Sequence, residues 1–165
     1  MKRVNHTLTY PATTVDDVFA MLVDPAYRKA VSDYQQVTDF SCDITPDPPG
    51  AEVDIEQAHS TERIPSVAKK FVGDEIRFQQ HESWADPSGA DVQVAIPGKP
   101  GDMKGTLALR QAGDDVTQVV AMEVSVGIPF VGGKIEEMVA GFVGRVFDAQ
   151  QKVGSKWLRG EWRVE

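Results

Sequence analysis

The chain of 165 residues contains one cysteine, Cys42, so it can form neither an internal disulfide nor a cysteine-cluster metal site. Nothing around Cys42 marks a nucleophile, and it reads as a buried, inert thiol. No apolar run reaches 18 residues, so no membrane-spanning helix and no integral membrane association are expected. Basic residues are in deficit, with 17 Lys plus Arg against 25 Asp plus Glu and a net charge of −8. That balance argues against nucleic acid and against an anionic membrane surface, since both call for basic patches. Only three histidines occur, His6, His59 and His81; their spacing fits no ligand pattern, so no metal is expected. A Gly-rich phosphate loop is also missing, and no cofactor is expected. Gly132-Gly133, alone at a helix start, reads as a tight turn rather than an anion site. Met1-Lys2-Arg3 is basic, but the residues after it alternate instead of forming an apolar leader, which predicts a cytoplasmic protein.

What is present is an ordinary soluble composition, 41% hydrophobic and 25% charged, in a chain long enough for one domain with a real core. Residues 3–10 alternate with Val4, Leu8 and Tyr10 on one face and predict a strand that Pro11 ends. Thr14 then caps a helix with Val15, Val18, Phe19 and Leu22 on one side. Asp24-Pro25 opens a second short helix through about Val31. From there the period is two, with strands expected at about 35–45, 51–62, 74–85, 90–97, 103–112 and 115–127. Turn residues separate them, such as Asp47-Pro48-Pro49-Gly50 and Asp86-Pro87-Ser88-Gly89. Regular short strands with such separators predict an antiparallel meander. The longer gap at 64–73 leaves room for a helical turn at Ser66–Phe71. Glu52, Asp54 and Glu56 share the outward parity of one strand and predict a solvated face.

The last third is one long amphipathic helix, from about Gly132 to Arg159. Its stripe is Ile135, Met138, Val139, Phe142, Val143, Val146, Phe147, Val153 and Trp157, at spacings of three and four. Gly141, Gly144 and Gly154 weaken it as a helix and predict close packing or a bend. This order, together with Tyr10-Pro11-Ala12, Asp24-Pro25 and the Gly132-Gly133-Lys134-Ile135-Glu136 helix start, resembles the START-like, or SRPBCC, helix-grip superfamily across essentially the whole chain. The Gly132–Glu136 detail is similar to an uncharacterised actinobacterial branch. The resemblance implies an α+β helix-grip fold: a curved antiparallel seven-stranded sheet wrapped around the long C-terminal helix, with two short helices after the first strand. Members of that superfamily bind lipids, sterols, polyketides and plant hormones, and some are cyclases; fold does not select among these.

Strand parity assigns the side chains that face the helix. Val120, Met122, Val124 and Val126, then Leu107 and Leu109, then Val92, Val94 and Ile96 form an apolar wall. On the two strands taken as central, 51–62 and 74–85, the inward parity also carries Gln57, His59, Thr61, Gln80 and Glu82 beside Phe78 and Trp84. These polar groups either line a pocket, sit on a solvated rim, or point outward past a bulge.

Three functions remain open on these residues. The first is a carrier of an apolar small molecule, such as a lipid, an acyl chain or a polyketide-like ring. Phe78, Trp84, Val94, Leu107, Leu109, Met122, Val124, Met138, Phe142 and Val146 would be its wall, with Gln57, His59, Gln80 and Glu82 orienting the ligand. The second is a cyclase- or hydrolase-type enzyme with His59 as base and Glu82 as its orienter. Simple hairpin pairing about residue 68 opposes His59 to Arg77, which weighs against that pair. The third is a protein-interaction module with a filled core. The first two predict an open cavity. Trp162, in the tail, is expected to dock on the body or on a partner.

Overall fold

The computed structural model describes every residue except 63, 65, 67, 68, 71, 72 and 163–165. Strand β1 (Lys2–Tyr10) is followed by helices α1 (Val15–Leu22) and α2 (Pro25–Tyr34). Six strands come next: β2 (Asp39–Asp47), β3 (Gly50–Ser60), β4 (Glu75–Asp86), β5 (Gly89–Ala95), β6 (Asp102–Ala112) and β7 (Asp115–Ser125). Helix α3 (Gly132–Leu158) follows them. The strands form one seven-stranded sheet in the order β1-β7-β6-β5-β4-β3-β2, and every pair is antiparallel. The helix-grip architecture expected from the sequence is therefore present, with one adjustment. β5 is the middle strand, so β3 and β4 lie toward the β2 edge rather than at the centre.

Local chemistry explains the boundaries. Thr14 accepts a hydrogen bond from the Asp17 amide at the start of α1, and Asp24 accepts one from the Ala26 amide at the start of α2; each satisfies an amide that the helix leaves without a partner. α2 runs a turn past its expected end, and the chain then reverses through Gln36 at φ 55°, so β2 starts at Asp39 instead of residue 35. Of the expected turn at Ser66–Phe71, residues 66, 69 and 70 are helical, and residues 67, 68 and 71 lie outside the described residues.

α3 meets the sheet tightly at two glycines. A Cβ on Gly132 would lie 2.4 Å from the Val126 carbonyl oxygen, and one on Gly154 would lie 2.8 Å from Tyr10 Cε1. Those two positions need glycine. Gly144 has nothing within 4 Å of such a Cβ, and Gly141 has only the Arg145 guanidinium at 3.9 Å. The close-packing expectation therefore holds for Gly154 and not for Gly141 or Gly144. Glu136, in the first turns of α3, accepts a hydrogen bond from the Val126 amide at 2.9 Å and fastens the helix start to the end of β7.

The core lies between sheet and helices. Val92, Val94, Leu107, Leu109, Val120, Met122, Val124, Ile135, Val139, Phe142 and Val153 are all buried in it, as parity predicted. On the opposite face of the sheet, Glu52, Asp54 and Glu56 are not simply solvated. His81 lies 2.9 Å from Glu52 and 2.7 Å from Asp54, and Arg77 lies 3.4 Å from Glu56. The register explains this, since Asp54 sits opposite His81 and Glu56 is two positions from the partner of Arg77. Cross-strand neighbours of opposite charge stabilise such a face, weakly where solvent screens them. Trp162 docks on the body, edge-on to Tyr34 at 6.1 Å.

Candidate functional site

The interior between β3–β7 and the middle of α3 holds a small, partly open cavity of about 50 Å³. Val92, Val94, Met103, Leu107, Met122, Phe78, Phe142, Val143, Val146 and Phe147 supply its apolar wall, and Gln57, Gln80 and Gln150 supply its polar atoms. A water molecule occupies about 30 Å³ of liquid, so the space holds one or two waters as it stands. The open cavity expected of a binding protein is thus nearly closed in this conformation. Broader hollows of about 540 and 630 Å³ lie on the outer face of the sheet, against Asp54, His81 and Gln93 and against Arg3, Asn5 and Glu123. They are wider and more polar than the interior cavity.

Eight of the side chains expected to contact a ligand line the cavity: Gln57, Phe78, Gln80, Val94, Leu107, Met122, Phe142 and Val146. The six others lie elsewhere. Leu109 is core, Met138 is a half-buried neighbour of the core, and Val124 borders a separate void of about 10 Å³ beside Val126 and Val139. Glu82, Trp84 and His59 each have a different surrounding.

Glu82 is fully buried and fully engaged. Its Oε1 accepts hydrogen bonds from Arg28 Nη2 at 2.7 Å and from Trp84 Nε1 at 2.9 Å, and its Oε2 accepts one from Gln80 Nε2 at 2.5 Å. Arg28, also buried, donates its Nε to the Leu22 carbonyl at 2.7 Å. Burial alone would lower the Arg28 pKa, but attraction and hydrogen bonding to Glu82 outweigh it and raise it. The pair is a structural anchor of α2 to the sheet, and Trp84, packed edge-on against Phe19 at 5.4 Å, completes it. Arg28 was missed in the sequence. The available signal was its place on the buried side of α2, three residues before Val31, combined with the cation that a buried Glu82 demands.

A second polar set joins it. Tyr10 donates to Gln118 Oε1 at 3.2 Å, and Tyr27 donates to the Gln150 carbonyl at 3.0 Å. Burial pushes both phenols well above their ordinary pKa, so both stay protonated as donors.

His59 is the opposite case. It is 8% exposed, and its Nε2 is buried with no hydrogen-bond partner. Its ring meets Phe78 edge-on at 5.8 Å and Phe142 at 5.7 Å, both of them cavity walls. Burial, and then the charge of Arg145, hold its pKa below the ordinary histidine value. It is therefore neutral near pH 7.

The proposed pairing of His59 with Glu82 fails on register. His59 lies opposite Ile76, and Glu82 lies opposite Val53. Six residues of strand separate the two sites, about 20 Å at strand rise, far beyond the reach of acid–base partners. The hairpin register is also one residue from the expected one: Arg77 faces Ala58, not His59. Partners across a ladder share a face, so the inward His59 must oppose an inward residue such as Ile76. Among the described residues no group of three His, Cys, Asp or Glu could hold a metal ion.

A seven-stranded antiparallel sheet closed over one long helix, with two short helices after its first strand, is a helix-grip fold. Solved structures share that fold over nearly the whole chain. TTHA0849 from Thermus thermophilus matches with 15% identity and a TM-score of 0.67 over 98% of this chain and 100% of its own. A START superfamily protein from Mycobacterium smegmatis matches with 11% identity and a TM-score of 0.61 over 96% and 97%. Norcoclaurine synthase from Thalictrum flavum matches with 19% identity and a TM-score of 0.59 over 92% and 85%. No curated protein matches the sequence. Residues 5–158 match the family described as Protein of unknown function (DUF2505), and the chain belongs to it.

Proposed function

We propose that this protein binds and carries an apolar small molecule, of the size of an acyl chain or small ring system, between the sheet and α3. The observation that carries the reading is the interior cavity itself, a greasy wall interrupted by Gln57, Gln80 and Gln150. Few polar groups in an apolar concave site are the usual composition of a small-molecule pocket. The cover over it is deformable. Met103 and Met122 are flexible fillers, and the covering stretch of α3 carries Gly141 and Gly144, which packing does not require. Each such glycine costs about 0.5–1 kcal/mol relative to alanine, a cost consistent with a helix segment that bends to admit a ligand. The shared fold of norcoclaurine synthase and of a START superfamily protein supports the reading by analogy. The Gly132–Glu136 helix start leads us to place the chain in an actinobacterial branch of that superfamily.

Native mass spectrometry of protein purified gently from its own host tests this directly. The reading predicts a co-purifying lipid or metabolite at stoichiometric occupancy; repeated absence of any bound mass contradicts it. A second reading, an interaction module with a filled interior, is favoured by the small size of the cavity and predicts that absence.

A further inference from the structure

We infer that the ligand ends in a single carboxylate, seated at the Phe142 end of the cavity between His59 Nε2 and the Arg145 guanidinium. The inference rests on the carrier reading above and specifies its ligand class. His59 and Arg145 stand on the same aromatic ring. The His59 ring is 5.7 Å from Phe142, and the Arg145 guanidinium carbon is 4.6 Å from the Phe142 centroid. His59 Nε2 is a buried polar atom with no partner, and native interiors rarely leave one so. Among the described residues, no carboxylate pairs with Arg145, although the chain carries 25 acids; the guanidinium instead lies over the Phe142 ring. A neutral imidazole in its Nε2–H form is a donor, and a guanidinium has donors only. In its Nε2–H tautomer His59 asks for an acceptor, as the guanidinium always does, and the guanidinium favours a charged one.

The rest of the cavity excludes other places for an acid. Its polar atoms are amides, and Arg28, the one buried cation among the described residues, is already neutralised by Glu82 at 2.7 Å. Deeper in the cavity an acid group would meet amides and apolar side chains and no free cation among the described residues. At the Phe142 end it meets Arg145, which is exposed and can hold the head of the ligand while its chain enters past Phe142. Met103, Met122 and Val146 then contact the apolar body.

The test uses two probes with the same apolar chain, decanoate and 1-decanol, titrated calorimetrically into the whole protein and into Arg145→Met and His59→Phe. Charge-assisted hydrogen bonds predict decanoate binding at least about tenfold tighter than decanol. Each substitution should remove most of that preference, read as the ratio of the decanoate and decanol affinities within the same variant. A ¹⁵N imidazole titration adds an independent readout: the His59 pKa should rise when decanoate binds and stay put with decanol. Equal affinity of the two probes for the unsubstituted protein, or a preference that survives Arg145→Met, overturns the carboxylate inference and leaves the carrier reading standing. Binding of neither probe overturns the carboxylate inference, and the carrier reading falls with it only if native mass spectrometry also finds no bound mass.

Discussion

Around Glu82 and around His59, β3 and β4 place polar groups in the same apolar interior, and the two places treat them in opposite ways. At the Glu82 end every oxygen of the carboxylate is met, by Arg28, Trp84 and Gln80, and Gly154 brings α3 into contact with Tyr10 and Tyr27. At the His59 end Nε2 has no partner, a cavity persists, and Gly141 and Gly144 sit where side chains would fit. One end of the molecule is organised for stability. The other gives up some stability, and that is the signature of a place where something else belongs.

The largest effect that would sharpen this contrast comes from the tight end. Arg28→Met strands a buried Glu82 and should cost about 3–5 kcal/mol in urea denaturation. Adding Glu82→Leu should recover most of that loss, because a buried pair is often no better than apolar residues of similar volume. A double variant as unstable as the single one would break the account of Glu82 as an anchor. Next in size is Gly154→Ala, whose Cβ would press on Tyr10 and Tyr27 and should cost about 1–3 kcal/mol. Gly144→Ala should do the reverse, stabilising by about 0.5–1 kcal/mol while slowing decanoate binding in stopped-flow. If both glycines respond with the same sign, the two ends are not different.

The smallest effects are in pH dependence, where the inner-face and outer-face histidines differ in sign. The His59 pKa is lowered by burial and then by Arg145, so the unfolded chain takes up its proton first. Its contribution to stability is present above about pH 6.5 and is lost as pH falls through the lowered folded value. The His81 pKa is raised, chiefly by its hydrogen bond to Asp54. Its contribution is present below about pH 6.5 and is lost as pH rises through the raised value. His81 is largely solvent-accessible, so screening keeps that term small. His59→Phe and His81→Gln, compared by thermal melts between pH 5 and 8, should flatten opposite sides of the profile.

Much of this was legible in the strands. Period-two alternation put Gln57, His59, Thr61 and Glu82 inside, and all four are buried. No bulge interrupts the β3–β4 ladder between Ala51 and Ser60, which is why parity held there. Parity says which face a side chain takes and not what it meets. Arg28 comes from α2, where helix spacing puts it on the buried side without saying which strand residue it meets, and its contact converts Glu82 from a site residue into an anchor. The distance from His59 to Glu82 depends on position along the strand, and shared parity concealed it. Cavity volume depends on how side chains interdigitate across sheet and helix, a property of the assembled core alone.

The central claim is that ligand enters the His59 end and leaves the Glu82 end untouched. Methionine methyl NMR reads the two ends separately, since Met103 and Met122 line the cavity while Met21 lies against the site of Gly154. On titration with decanoate, the Met103 and Met122 methyl signals should move in a saturable way and the Met21 signal should hold still. Stationary Met103 and Met122 signals, or a Met21 shift as large as theirs, would contradict the account.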